Sequence, residues 1–202
     1  MVYKLSDFNN IHSGANIIVC GCGTSLLTMK EYHESVITIG VNDVPALFDP
    51  TYMLVTDSPN RFYGKRKDLV NNSKAKYLFT PVKGWRHPKL VHFDLGSKDL
   101  INLNHPNRLD HFLNSPYCAI NLAFKLGAKN IGLIGVDFTD GHFYNSKDGP
   151  HPVVKANYLN RVNTAYNKLH TALLNRDVNL FNLSEQSRVD LPKISIPDFL
   201  KL

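Results

Sequence analysis

Residues 16–25, NIIVCGCGTS, decide how the rest of the chain is read. A short apolar run rich in β-branched residues predicts a buried strand. Two glycines set one residue apart then end it, and two hydroxyl residues follow. Glycine tolerates backbone angles and close approaches that a side chain would block, so the segment predicts a tight turn from strand into helix.

Working outward, similar runs recur at VITIGV (36–41), YMLVT (52–56), KYLFT (76–80) and NIGLIGVDF (130–138), with a weaker one at VHFDL (91–95) and a late one at VNLFNLS (178–184). Gly, Asn, Asp or Pro bounds each of them. Several are apolar at consecutive positions, the pattern of strands covered on both faces in a parallel sheet. Helical patterns fall between them. Over 114–130, Ser115 is placed to cap, Pro116 to open the first turn and Gly127 to supply a left-handed end. Tyr117, Ile120, Ala123 and Phe124 share one face of that helix. A longer helix is predicted over 154–175, with Val154, Tyr158, Val162, Ala165 and Leu169 on one side. Strands alternating with helices predict an α/β fold: a single Rossmann-like three-layer domain over 1–202 with a mostly parallel sheet. Residues 192–202 are expected to form a packed tail or an interaction arm.

The totals narrow the class. With 43% hydrophobic and 20% charged residues in 202, the chain reads as an ordinary globular protein. No apolar run approaches the roughly 20 residues that span a bilayer. The opening MVYKLSDFNN lacks the apolar core of a secretory signal, so a cytoplasmic location is expected. Cys20, Cys22 and Cys118 make no disulfide framework. The C-x-C pair has no second pair at ligand spacing and reads as two small residues beside a tight turn. A net charge of +6 favours polyanionic partners, whether nucleotides, nucleic acid or an anionic membrane surface. Homo-oligomer formation is left open.

The glycine turn is suited to an anion. The N–H groups of Gly23, Thr24 and Ser25 would open a helix and point at a phosphate, with the helix dipole behind them. The turn is not a Walker A loop, and Leu26 stands where a dinucleotide-binding loop has its third glycine. GVND (40–43) places Asn42 and Asp43 at the next strand end, to read ribose or base edges or to cap the next helix. VTDSPN (55–60) adds Thr56, Asp57 and Ser58 on the same rim. Three neighbouring strand ends bearing small polar groups point to a ligand cleft.

These motifs, in the order GCGTSL, GVND, TDSP and then SPYCAINLAFKLGAKNIGLIGVDFTDGHFY (115–144), resemble the bacterial sialyltransferase-like group, which includes the motility accessory factors that modify flagellin. Gly21, Gly23, Ser25 and Leu26 fit that group's Gly-x-Gly-Pro-Ser-Leu loop, with Thr24 in place of proline. Leu126, Gly127, Ala128, Gly135, Asp137 and His142 fit its later motif, and the likeness spans residues 15–145. The resemblance implies a nucleotide-sugar donor, CMP- or UDP-linked, contacted by Asn42. It also implies transfer without an obligatory metal or tightly bound cofactor, and the chain has no D-x-D. Asp57, Ser58 and Ser115 complete the expected nucleotide-binding set with Gly21, Gly23, Thr24, Ser25, Asn42 and Asp43. An archaeal branch of the same superfamily resembles pterin pyrophosphokinases, so the fold alone does not fix the reaction.

The segment GVDFTDGHFYNSKDGPH (135–151) gathers Asp137, Asp140, His142, Tyr144, Asp148 and His151 after a strand. Sugar transfer needs a base for the acceptor hydroxyl, and histidine titrates nearest neutral pH, which makes His142 the expected base. Asp137 is expected to orient it or to act as base itself; Tyr144 or His151 is expected to donate to the departing phosphate. A metal held by Asp137, Asp140, His142 and His151 matches no standard ligand spacing. No G-x-S-x-G elbow is present. Lys83, Trp85 and Arg86 in KGWRHPK form a second expectation: an anionic acceptor clamped by cations with the indole stacked on it, or an exposed loop with one anchoring aromatic. The expected function is a glycosyltransferase acting on an acceptor hydroxyl of a glycan, a protein or hydroxymethylated phage-type DNA. The alternatives are a Mg²⁺-dependent pterin-type diphosphotransferase and a non-catalytic nucleotide-binding protein.

Overall fold

The strand read first sits near the middle of an all-parallel sheet. In the computed structural model, which describes residues 3–98, 101–112, 114–139, 141–144 and 155–202, the strands are β1 (Tyr3–Lys4), β2 (Asn16–Cys20), β3 (Ile37–Val41), β4 (Tyr52–Leu54), β5 (Leu78–Thr80), β6 (Leu90–His92), β7 (Asp94–Leu95), β8 (Arg108–Leu109), β9 (Asn130–Ile134) and β10 (Asn179–Asn182). The helices are α1 (Arg66–Asn71), α2 (Ser115–Leu126), α3 (Ala156–Leu174) and α4 (Ile196–Phe199). The eight-stranded sheet has the order β1-β6-β5-β4-β3-β2-β9-β10, and β7 pairs with β8 alongside it. From β2 the chain builds outward through β3, β4 and β5, then crosses to β9 on the other side of β2. That reversal places a switch point between β2 and β9, where open α/β sheets bind ligands beyond the strand carboxyl ends.

Both faces are covered, which is why the strands read as consecutive apolar runs. Ile17 and Val19 pack with α2 and α3 on one face. Ile18 and Cys20 pack on the other with Leu26, Met29 and Phe199. Register is fixed at the start of the strands by three asparagines. Asn130 Nδ2 donates to Asn16 Oδ1 at 2.8 Å, Asn179 Nδ2 donates to Asn130 Oδ1 at 2.8 Å, and Asn16 Nδ2 reaches the Phe199 carbonyl at 3.0 Å. A one-residue slip would break every rung and turn each apolar side chain to the wrong face. The tail is thus packed rather than free, with Phe199 fully buried and Ile196 buried.

Two details depart from the sequence reading and one agrees with it. Asn114, not Ser115, caps α2: its Oδ1 accepts from the Tyr117 N–H at 2.9 Å, while Ser115 is already inside the helix. Gly127 closes the helix at φ 94°, a conformation that favours glycine. The segment after the glycine turn, Thr24–Glu31, is a 3₁₀ rather than an α-helix, unusually long for that type. Val154 lies outside the described residues. No helix among the described residues is long and apolar enough to cross a membrane.

Burial lowers the pKa of His12, helped by the Lys76 charge, and burial also lowers that of His170. The unfolded chain therefore takes up protons that the fold resists. Stability should rise with pH from the lowered folded values up to about 6.5, and be level above. The expected result is a higher thermal midpoint at neutral pH than under mildly acid conditions, with a flatter pH profile in the His12→Gln, His170→Gln double variant. An unchanged profile in that variant would contradict the assignment.

Candidate active site

At the switch point a cavity of about 520 Å³ opens beyond the carboxyl ends of β2, β3 and β9. Cys22 and Gly23 form one wall, Val41 and Asn42 a second, and 135–139 a third; Asn114 and Pro116 bring the start of α2, and Lys155 and Tyr158 bring the start of α3. His142 closes the rim. A cavity of similar volume, about 530 Å³, lies at the opposite end of the strands. Its lysines are already engaged by carbonyls: Lys125 with Leu103 and His105, and Lys129 with Asp177.

The glycine turn is held differently from the sequence expectation. The β2–β9 ladder runs on past Cys20, with the Gly21 N–H donating to the Ile134 carbonyl at 2.8 Å and the Gly23 N–H to the Gly135 carbonyl at 2.7 Å. A Cβ on Gly21 would overlap the Gly135 carbonyl, and one on Gly23 would overlap Asp137 Oδ2. Asp137, 1% exposed, is the anion at this turn. Its Oδ2 accepts the Ser25 N–H at 2.9 Å and Gln186 Nε2 at 3.2 Å, and its Oδ1 accepts the Ser25 hydroxyl at 2.6 Å. Ser25 Oγ in turn accepts the Gly135 N–H at 2.8 Å, and Gln186 also donates to Thr24 Oγ1. The expected anion hole of Gly23, Thr24 and Ser25 is thus largely filled from within, and only the Thr24 N–H of the three lacks a partner among the described residues. The geometry makes Asp137 a brace for the turn.

Asn42 and Asp43 part company. Asp43, 2% exposed, faces away into a paired cluster: Arg66 grips it with two bonds, Nε to Oδ1 at 2.8 Å and Nη2 to Oδ2 at 2.6 Å, and the Tyr144 hydroxyl donates to Oδ2 at 2.9 Å. The Asp43 carboxylate raises the Arg66 pKa further above its usual range. Asn42 instead lines the cavity in the left-handed region at φ 53°, and its Oδ1 is buried with no hydrogen-bond partner. Asn114 Nδ2 is likewise buried and unpaired, while Asn114 Oδ1 takes both the Tyr117 N–H and the Tyr166 hydroxyl at 2.8 Å. A buried amide left without a partner costs about 1–3 kcal/mol. One acceptor and one donor unpaired at a single cavity are groups a ligand can satisfy.

The rim segment 141–144 is stitched down by the Phe143 N–H on the Cys22 carbonyl at 3.0 Å and by Tyr144 on Asp43. The His142 and Tyr144 rings meet edge to face at 5.3 Å. Tyr144, expected at the departing phosphate, therefore anchors the rim instead. His151 and Asp140 lie outside the described residues. Burial pushes the Cys22 thiol up to about 12, so it is an inert wall of the cavity.

The remaining expected residues stand apart from the cavity. Asp57 pairs with Arg61 at 3.0 Å on the surface, Ser58 caps residues 59–61, and Ser115 is buried against Thr56 Oγ1 at 2.8 Å. For Trp85 the acceptor-clamp expectation is corrected in favour of the anchoring aromatic: it is 4% exposed, packs edge to face on Phe62 at 4.9 Å and donates to the Asp57 carbonyl at 3.1 Å. Its ring has no free face for stacking, because it fills the small core under β4 and β5 with Met53 and Leu78. Lys83 and Arg86 are exposed on the same loop. The sequence reading missed Asn114, Lys155 and Tyr158 as cavity residues. The signal for Lys155 was its place just ahead of a long helix, and that for Asn114 was its place one residue ahead of Ser115-Pro116. Among the described residues no three His, Cys, Asp or Glu side chains converge to hold a metal.

No protein-family model matches the chain, and no curated protein does. Two solved glycosyltransferases share its fold. The MAf glycosyltransferase from Magnetospirillum magneticum AMB-1 matches at a TM-score of 0.56 and 14% identity, over 97% of this chain and 39% of the larger enzyme. The sialyltransferase CstII from Campylobacter jejuni, solved with the substrate analogue cytidine-5'-monophosphate, matches at 0.52 and 15%, over 87% of this chain and 82% of the enzyme. The chain therefore has the Rossmann-like fold of the MAf and sialyltransferase-like glycosyltransferases.

Proposed function

We propose that the chain transfers a sugar from a nucleotide-linked donor to an acceptor hydroxyl, with the nucleotide in the 520 Å³ cavity at the β2–β9 switch point. The observation that carries this reading is Asn42: a left-handed residue whose buried amide oxygen has no partner and lines that cavity. Strain and an unpaired buried group persist where function requires them. The fold shared with two glycosyltransferases supports the reaction class, and the cytidine nucleotide bound by one of them makes CMP-linked donors the first to test, UDP-linked ones the second.

In this reading Asn42 and Asn114 supply an acceptor and a donor to the nucleotide. The start of α2 and the Lys155 ammonium face its phosphate, where both favour the negative charge that builds as the bond breaks. The bond from the anomeric carbon to phosphate oxygen breaks, and a bond to the acceptor oxygen forms. His142, at the rim, takes the acceptor's proton, and the nucleotide leaves with the electron pair. Charge stabilisation by Lys155 and the helix end fits transfer without an obligatory metal.

The test is nucleotide release from CMP-, UDP-, GDP- and ADP-linked sugars, with and without EDTA. Release from one donor class that survives EDTA is the expected result. The His142→Gln variant should lose about 10²- to 10⁴-fold in kcat while keeping its nucleotide affinity. Release from none, or ATP-driven diphosphate transfer dependent on Mg²⁺, would overturn the reading.

A further inference from the structure

A second cleft, of about 350 Å³, lies between α3 and the segment leading into α2. We infer that this cleft is the acceptor subsite and takes a saccharide bearing a carboxylate or phosphate; the inference rests on the donor reading above. Its wall carries three cations, Lys98, Arg161 and Lys168, and no acidic residue among the described ones. None of the three makes an ion pair with a described residue. Asp110, the acid nearest in charge to Tyr117, is buried and accepts the Asn102 N–H rather than lining the cleft.

The floor is aromatic. Phe112 and Tyr117 rings lie 6.1 Å apart, and the Arg161 guanidinium sits 5.9 Å from the Phe112 ring centre. Thr164, one turn from Arg161 and Lys168, donates its hydroxyl proton to the Asn160 carbonyl at 2.9 Å and offers the oxygen as an acceptor. An apolar floor ringed by a few polar groups is how small-molecule sites orient a ligand. The three cations are exposed and carry no carboxylate partner among the described residues, which leaves them available to pair with an anionic ligand.

The cleft adjoins the donor cavity on two sides. Pro116 lines one and Tyr117 the other; Tyr158 lines one and Arg161, a turn further along α3, lines the other. Burial raises the Tyr158 phenol, and the Asn114 side chain and then the Arg161 charge oppose the rise. An acceptor seated on Phe112 would lie about one turn along α3 from the donor cavity. The volume is at the lower end of small-ligand sites, room for one sugar ring. A duplex would need a longer basic surface that tracks successive phosphates. Lys83 and Arg86, on the Trp85 loop, do not line this cleft.

The test is saturation-transfer NMR on the whole chain with N-acetylneuraminic acid, glucuronic acid and glucose 6-phosphate against galactose and glucose, up to about 10 mM. Carboxylated or phosphorylated sugars should bind, and the two arms tell which anion is preferred. The neutral sugars should bind at least about tenfold more weakly. The Arg161→Met, Lys168→Met double variant should lose about tenfold in affinity for the anionic sugars, with its thermal midpoint and nucleotide affinity unchanged. Equal binding of galactose, anionic sugars held as tightly by the variant, or no sugar bound at all would overturn the inference. So would a short single-stranded oligonucleotide that loses affinity in the variant and that no sugar displaces. A wild-type chain that binds no nucleotide would count against the donor reading alone, because the sugar arm is read without nucleotide.

Discussion

Replacing Asp137 with alanine should lower stability by about 3–5 kcal/mol and abolish nucleotide binding. The carboxylate accepts the Ser25 N–H, the Ser25 hydroxyl and Gln186 in a setting 1% exposed. Each donor stranded without it costs about 1–3 kcal/mol. For a chain of this length that is a fall of roughly 10 °C in the thermal midpoint. The turn that walls the cavity would come loose with it, since Ser25 also holds the Gly135 N–H. Asp137→Asn keeps an oxygen for the Ser25 N–H and Gln186, and should cost only about 1 kcal/mol while retaining most turnover. That split separates the two roles the residue could have. A brace tolerates asparagine, whereas a general base would lose about 10²-fold or more in kcat. Turnover lost in Asp137→Asn with the midpoint preserved would return Asp137 to the chemistry.

Breaking the Arg66–Asp43 pair should have the next largest effect, and an uneven one. Arg66→Met strands a carboxylate 2% exposed with only Tyr144 for company, an expected loss of about 2–4 kcal/mol. Asp43→Asn should cost less, about 1–2 kcal/mol, because Arg66 is partly exposed and water can take up its released N–H groups. Both changes loosen Tyr144, and with it the rim that carries His142, so nucleotide release should slow in step with the loss of stability. Equal costs for the two variants would mean that the pair is hydrated rather than buried. Chemical denaturation of the wild type and both variants decides it.

The sheet was legible in the sequence because strands buried on both faces cannot hide: NIIVC and NIGLI have no polar side to present. β1 and β8, two residues each, carried no such pattern, since their pairing with β6 and β7 is set by distant chain. The site was legible in part. Asn42 and His142 were placed on the cavity by the order of motifs. Asp43, one residue from Asn42, points the other way because Arg66 waits 23 residues on, and no local pattern announces that partner. Trp85 read either as a stacking platform or as an anchoring aromatic because its neighbours are cations, and long-range packing on Phe62 and the Asp57 carbonyl makes it the anchor. The glycine turn looked open to a phosphate for the same reason: Asp137, 112 residues away from Ser25, supplies the charge from inside the protein.

The most direct test of the central claim is a calorimetric titration of CMP and UDP into the wild type and into Asn42→Gly. Glycine accepts the left-handed backbone at φ 53°, so this change removes the amide without straining the strand end. One nucleotide should bind the wild type at a single site, and Asn42→Gly should weaken it at least about tenfold, close to 1.4 kcal/mol, with a thermal midpoint no lower than that of the wild type. Equal affinity in the two proteins, or no binding of either nucleotide to the wild type, would contradict the placement of the nucleotide at the β2–β9 switch point.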